Sequence, residues 1–219
     1  NSGGAISNAG AASLAVTNNA DFADTGGAGI TLGDQALDAM NFGSLTFNSL
    51  GTVTVEEDSA MELAGTNTAA ALNLTSAGAM TDAGGSDTTV AGATVLTAGG
   101  ANDITLDEAA NDFDSVQVVS GNNVSIRDTN ALVVAGITAT SEVTLQTGAA
   151  LTQTAGITGT GLELLGAGPA TLGGANDVNT LAGNVTGDVT YNDTDDIAVG
   201  TVNTVGLTSG GSIDVDAGG

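Results

Sequence analysis

The sequence predicts an all-β protein, a right-handed parallel β-helix (β-solenoid) with about 20 residues per coil. Three observations lead to this prediction: short apolar strands separated by turn residues, a recurring step of 19 positions, and a composition rich in small side chains. The 219 residues include 34 Gly, 1 Pro, no Trp and 2% aromatic residues, and the apolar 41% is mostly Ala, Val, Leu and Ile. Because such small side chains fill only a narrow space, the composition indicates a thin core that is repeated many times.

The clearest strands lie in residues 111–145. Gly, Asn, Asp and Ser separate four pairs of apolar residues there, and one position lies between the members of each pair: Val116 with Val118, Val124 with Ile126, Leu132 with Val134, and Val143 with Leu145. Each pair predicts a short strand whose alternate side chains face a core. The steps from Val124 to Val143 and from Val143 to Leu162 are both 19 positions, so we expect these residues to stack in successive coils.

The chain also repeats itself at a longer interval. Residues 41–82 superpose on residues 112–153 at an offset of 71 without a gap, and a further copy follows at an offset of 73 or 74. We therefore expect a single β-helix segment over residues 1–219, with three super-repeats of about 70 to 75 residues each. Their approximate bounds are 5–78, 79–149 and 150–219.

The repeats predict which residues fill the core and which turn the chain. Phe42 and Phe113 share a repeat position, which favours packing in the core over ligand contact. The offset of 73 aligns Val205 with Leu132, so we expect Val205 to face the core as well. Gly pairs, among them Gly26-Gly27 and Gly84-Gly85, predict the corners, where the backbone needs positive φ or a close approach.

The charge limits the classes of partner. The chain carries 25 acidic residues and one cation, Arg127, for a formal net charge of -24. Nucleic acids and anionic membrane surfaces bind clustered Lys and Arg, so we expect neither as a partner. No apolar run reaches membrane-spanning length, and we expect no membrane span. Divalent cations or concentrated salt are the expected counter-charges.

The two ends of the sequence predict the remaining partners. Neither NSGGAISNAG at the start nor GGSIDVDAGG at the end resembles a polar cap. A β-helix without caps exposes strand edges that pair readily with other strands. We therefore expect the ends to contact neighbouring β-helix rungs or copies of the chain placed end to end, and we expect the chain to be a processed product or a fragment.

Residues 111–153 carry a family likeness, and residues 41–82 carry a weaker copy of it. The pattern comprises an N-D-F start, an N-V-x-I-x-D strand, an A-L-x-x-x-x-I-T step and an L-T-Q close. It resembles the haemagglutinin-type β-strand repeats of very large secreted bacterial proteins, the filamentous-haemagglutinin class and related adhesins. The resemblance implies a right-handed β-helix, export across the outer membrane, an extracellular or cell-surface location, and a long fibrous exoprotein of which this chain is one segment.

Carbohydrate-cleaving enzymes are also found among β-helices, and a glycosidase needs two suitably separated carboxylates. The candidate carboxylates are Asp107 with Glu108, Asp112 with Asp114, and Asp193 with Asp195 and Asp196. Sugar sites usually contain aromatic platforms, but Trp is absent and Tyr191 is the only Tyr. We therefore expect these carboxylates to be solvated turn residues and the protein not to be an enzyme.

Calcium is the better chemical hypothesis for the acidic residues. Asn192 to Asp196 places oxygen ligands at alternate positions of a predicted turn, an arrangement suited to a hard cation. The candidate metal ligands are Asp193, Asp195 and Asp196, although the glycine of an EF-hand loop is missing. We expect no required cofactor, with Ca2+ as the one candidate ion.

Together these observations predict a structural rod segment of a secreted bacterial cell-surface fibre, either an adhesin stalk or an extracellular filament or sheath subunit. The alternative is a glycan-binding or carbohydrate-active β-helix, with or without dependence on calcium, that recognises glycans of a host or neighbouring cell. Ice binding is disfavoured, because the Thr residues do not keep the same face from coil to coil.

Overall fold

A computed structural model describes residues 1–218 of the chain. These residues form 22 strands, and no helix among them is long and apolar enough to span a membrane. The strands are β1 (Ile6–Ser7), β2 (Ser13–Asp24), β3 (Ile30–Leu32), β4 (Ala39–Ser49), β5 (Thr52–Glu57), β6 (Met61–Leu63), β7 (Thr66–Ala69), β8 (Ala71–Ser76), β9 (Met80–Asp82), β10 (Asp87–Thr97), β11 (Ile104–Leu106), β12 (Asp112–Gly121), β13 (Val124–Asp128), β14 (Leu132–Ala139), β15 (Glu142–Thr147), β16 (Leu151–Gln153), β17 (Ile157–Gly166), β18 (Ala170–Val185), β19 (Val189–Asp193), β20 (Ala198–Val199), β21 (Leu207–Ser209) and β22 (Ile213–Ala217).

Every pairing between these strands is parallel, and paired strands belong to successive turns of the chain. Val124 lies beside Val143, and Val143 lies beside Leu162. The predicted step of 19 positions is therefore confirmed. The chain forms a β-solenoid of about 11 turns with roughly 20 residues per turn, which confirms the predicted fold class. At about 4.8 Å per coil, the rod is about 50 Å long.

The core follows from the alternation of side chains along each strand. In β13, Val124 and Ile126 are buried, whereas Ser125 between them is half-exposed. Branched aliphatic side chains favour this extended backbone and pack on the strands above and below. The buried apolar side chains form one cluster that runs from the second coil to the last coils. Phe42 and Phe113 belong to it, as predicted.

The super-repeat with the offset of 71 is longer than a whole number of coils. Met61 stacks on Met80, Met80 on Ile104, and Ile104 on Val124, so three coils lead from Met61 to Val124. The repeat equivalent of Met61 at the offset of 71 is Leu132, which begins the next strand of the coil, β14. Equivalent residues of these two copies therefore lie on different faces of the rod. The bounds of the three super-repeats remain sequence predictions.

Glycines occupy corners where the backbone turns with positive φ. Gly27 has a φ of 75° and Gly85 a φ of 80°. An L side chain is strained in this region, whereas glycine is not. These are the second residues of two predicted corner pairs, and both predictions are confirmed.

The first and last coils are open edges. Among the described strands, β1 pairs only with β3, β2 only with β4, and β22 only with β19. Apolar side chains in these coils are incompletely covered: Phe22 is half-exposed, and Ile213 is 48% exposed. The edge backbone groups are free to pair with further strands. End-to-end contact with such strands remains a prediction.

Candidate functional site

The three residues predicted to bind calcium differ in exposure. Asp193 is 1% exposed, and its Oδ2 accepts hydrogen bonds from the Val178 N–H (3.2 Å) and the Tyr191 hydroxyl (2.7 Å). Asp195 and Asp196 lie on the exposed surface. Within residues 1–218, no group of three or more His, Cys, Asp or Glu side chains is arranged to hold a metal ion. Calcium binding by these residues stays a prediction.

The carboxylate of Asp193 serves as an internal acceptor. Burial, and then the hydrogen bond to Asp193, raises the pKa of Tyr191, so its hydroxyl remains a donor at all physiological pH values. A hydrogen bond with Asp193 likewise raises the pKa of Asp195. The arrangement therefore holds a buried phenol and closes a turn.

The other candidate carboxylates tie coils together or extend into solvent. Glu108 Oε2 accepts a hydrogen bond from the Gly85 N–H (3.0 Å), and Asp112 Oδ1 accepts one from Asn130 Nδ2 (2.8 Å). Asp107 and Asp114 are exposed, and Asp107 Oδ2 accepts the Ser125 hydroxyl of the next coil (3.4 Å). Three of the four carboxylates therefore contact a neighbouring coil.

Buried carboxylates recur in the same local arrangement at three places along the chain. In three places a carboxylate ends a strand and accepts the backbone N–H of the residue 15 positions earlier. The bonds run from Phe42 N to Glu57 Oε1 (2.8 Å), from Phe113 N to Asp128 Oδ2 (2.6 Å), and from Val178 N to Asp193 Oδ2 (3.2 Å). Each bond satisfies a buried donor where the chain turns a corner. Sequence reasoning missed this role, although Glu57 and Asp128 share a repeat position at the offset of 71.

Burial controls the proton affinity of the first two carboxylates. Desolvation raises the pKa of Glu57 and of Asp128, and the bonds from the Phe42 and Phe113 backbone only partly oppose it. Glu57 Oε2 is buried and makes no hydrogen bond to the described residues. Folding therefore increases the proton affinity of both groups, which couples stability to pH.

Buried asparagines satisfy further backbone donors. Asn67, Asn111 and Asn176 are all 0% exposed. Their Oδ1 atoms accept the N–H groups of Phe47 (3.0 Å), Thr88 (3.1 Å) and Ile157 (2.9 Å) in the preceding coils. Because a buried, unpaired N–H group is costly, these amides stabilise the corners.

One segment departs from the regular winding. In β18, only Ala182 separates Leu181 from Gly183, whereas residues 200–206 separate their partners Val199 and Leu207. This inserted segment, the 200–206 loop, closes on itself through an antiparallel bridge between Thr201 and Val205. Val205 is 85% exposed, so the prediction that it faces the core is wrong. The aligned position falls in an insertion.

The 200–206 loop folds back along the rod and is anchored on Glu163. Glu163 Oε1 accepts the Thr204 N–H (2.8 Å), and Oε2 accepts Asn203 Nδ2 (3.0 Å) and the Thr144 hydroxyl (3.1 Å). Glu163 is 2% exposed although its neighbour Leu162 faces the core, because the loop covers the outer face of the strand there. A Cβ at Gly161 would lie 3.0 Å from the Val202 side chain, so this glycine leaves room for the loop.

The loop forms the end wall of an open groove of about 360 Å³ on the flank of the rod. We call it the flank groove. Its floor is a column of hydroxyl side chains on stacked strands, since Thr105 pairs with Ser125 and Ser125 with Thr144. The remaining lining residues are Asn123, Val124, Glu142 and Asn203. The insertion contributes Asn203 to this groove.

Comparison with known families assigns the repeats but no activity. Residues 50–120 and 121–186 match consecutive copies of a family model described as repeats of unknown function (DUF5649). The matched segments start 71 positions apart, the offset at which the sequence superposes on itself. No curated protein and no solved structure matches the chain.

Proposed function

The chain belongs to the family of repeats of unknown function DUF5649, and from that premise we propose that it is a structural rod segment of a secreted bacterial cell-surface fibre. The observation that carries this proposal is the unbroken parallel ladder. Strands of every coil pair with strands of the next, and a single core runs through them. A rod of this kind is a stiff spacer, since bending it strains hydrogen bonds in many coils at once.

The rotation of the super-repeats supports a scaffold role. Glu57 and its equivalent Asp128 end strands that lie on different faces of the rod, because the offset of 71 spans three coils and one further strand. These two copies therefore do not build one continuous binding face. They preserve instead a buried acceptor at a corner.

The side chains at the turns also favour a mechanical role. Asp103 Oδ1 accepts bonds from Asn122 Nδ2 (2.8 Å) and from the Asn123 N–H (3.0 Å) in the next coil, and the Ser141 hydroxyl donates to Asn122 Oδ1 (2.9 Å) in turn. These hydrogen bonds lower the pKa of Asp103, and the Asn123 N–H has the largest effect. A turn ladder thus supplements the backbone ladder across three coils.

The surface location rests on the resemblance to filamentous-haemagglutinin-type repeats and on the composition. A chain whose one cation is Arg127 offers trypsin-like proteases a single cleavage site, and that residue lies within β13. Resistance of this kind suits an exposed fibre. End-to-end contact with neighbouring rungs or with copies of the chain is part of the proposal.

Antibodies raised against the purified chain test the proposal on intact cells of the source bacterium. We expect immunogold particles along extended surface structures, and we expect mild proteinase treatment of whole cells to remove the signal. A strain that lacks the gene is the control. Labelling only after permeabilisation would refute the surface location, and labelling of compact, unextended particles would refute the fibre.

A further inference from the structure

We propose that the flank groove binds a neutral, polyhydroxylated chain, an uncharged oligosaccharide that lies along the rod axis. This proposal goes beyond the structural role, because it assigns recognition to one place on the rod. The place is where the insertion interrupts the regular coil.

The shape favours an extended ligand. Thr105, Ser125 and Thr144 occupy the same position in three consecutive strands, so their hydroxyl groups form a row at the coil spacing of about 4.8 Å. The row is about 10 Å long and ends at Asn203 of the 200–206 loop. A linear chain with hydroxyl groups at regular intervals matches such a row.

The polar groups of the groove are held in place before any ligand binds. Asn203 Nδ2 donates to Glu163 Oε2 (3.0 Å) and lies 3.3 Å from Thr144 Oγ1, so the end wall is fixed to the floor. Asn123 Oδ1 accepts the Glu142 N–H (3.3 Å), which fixes the side wall. A preformed site loses less entropy on binding than a mobile one.

The charge selects an uncharged ligand. The groove is lined by hydroxyl groups, amides, the Glu142 carboxylate and Val124, with no Lys or Arg among its lining residues. Phosphorylated, sulfated and uronate chains need cations, and the net charge of -24 repels them. Sugar hydroxyls can donate to Glu142 and both donate to and accept from Thr105 and Ser125.

Saturation-transfer NMR of the purified chain with maltotetraose, cellotetraose and laminaritetraose tests the proposal, with tetragalacturonate as the charged comparison. We expect binding of at least one neutral tetrasaccharide and none of tetragalacturonate. Glu142→Ala and Ser125→Val are each expected to weaken binding about two- to tenfold, as expected for the loss of one hydrogen bond. Asn203→Ala should weaken it similarly, because the end wall is lost.

Thr190→Val is the matched control, since Thr190 is an exposed strand threonine in β19, outside the groove. It should bind as the unaltered chain does, and circular dichroism at the binding temperature should show every variant folded. Absence of binding by all three neutral tetrasaccharides would overturn the proposal. Equal binding of tetragalacturonate, or binding unchanged by both Glu142→Ala and Asn203→Ala, would overturn it as well. Because cell-surface labelling does not depend on the groove, these results leave the rod proposal to its own test.

Discussion

Replacing Asp128 by Ala removes a buried acceptor on which a corner of the rod depends. Asp128 is 2% exposed, and it accepts the Phe113 N–H at 2.6 Å and the Asn130 N–H at 2.8 Å. The Phe113 N–H is buried and would lose its partner, at a cost of about 1 to 3 kcal/mol. Losing the second bond, which is partly exposed, adds about 1 kcal/mol, while removing a desolvated carboxylate returns part of the total. We expect a net loss of about 2 to 3 kcal/mol.

Urea unfolding followed by circular dichroism measures this loss at neutral pH, with the midpoint and slope fitted for each variant. Asp114→Ala is the matched control, because Asp114 lies in the neighbouring strand and its side chain is exposed. We expect the control to change stability by less than about 0.5 kcal/mol. A loss below about 0.5 kcal/mol for Asp128→Ala, or a gain in stability, would refute the idea that these carboxylates hold the corners.

Other consequences can be checked on the same material. Thr94 is 1% exposed, stacks between Leu72 and Val116, and has a hydroxyl without a partner among the described residues. Thr94→Val should therefore stabilise the chain by about 1 kcal/mol. The control is Thr31→Val on the outer face, and no gain in the free energy of unfolding in urea relative to this control would contradict the prediction. Folding raises the pKa of Glu57 and Asp128, so the folded state binds more protons than the unfolded state at pH values between the ordinary and the raised pKa. The melting temperature should therefore rise as the pH falls from 7 towards about 4. A melting temperature that falls steadily over this range would be inconsistent with buried, desolvated carboxylates. If residues 193–196 bind calcium, 5 mM CaCl2 should raise the melting temperature more than NaCl of the same ionic strength does. Asp195→Asn should abolish this difference. Equal effects of the two salts would show only general screening of charge.

Strands and core were predictable from the sequence because both depend on alternation along the chain. Val124 and Ile126 are buried on either side of half-exposed Ser125, as the apolar pairs predict. Stacking was predictable wherever the coil length is constant, as it is from Val124 to Leu162. The signal is local, and parallel stacking only repeats it.

The rotation of the super-repeats was not predictable from self-comparison. Such a comparison reports an offset of 71 residues but not how many turns those residues make. The coil from Met80 to Ile104 contains 24 positions rather than 19, and only strand pairing reveals this. Three coils therefore end at Val124, one strand before the repeat equivalent of Met61.

The buried polar residues and the 200–206 loop were missed for a related reason. Glu57, Asp128 and Asn176 occur among turn residues, where polar side chains are usually solvated, and their inward orientation depends on which backbone donors lie across the corner. Val205 aligns with a core position only if the last copy contains no insertion. The available signal was a glycine at each end of the insertion, Gly200 and Gly206, between Val199 and Leu207.

Small-angle X-ray scattering of the chain and of a variant that lacks residues 61–123 tests the central claim most directly. Met61 and Val124 occupy the same position three coils apart, so the deletion removes three whole coils and joins the remaining ones in register. We predict a rod about 14 Å shorter with an unchanged cross-section and cooperative unfolding. Deletion of residues 61–113 removes two coils and part of a third, so the remaining strands are joined out of register. This variant should not unfold cooperatively. A particle of unchanged length and altered cross-section after the three-coil deletion would contradict the account of the chain as a rod of stacked coils.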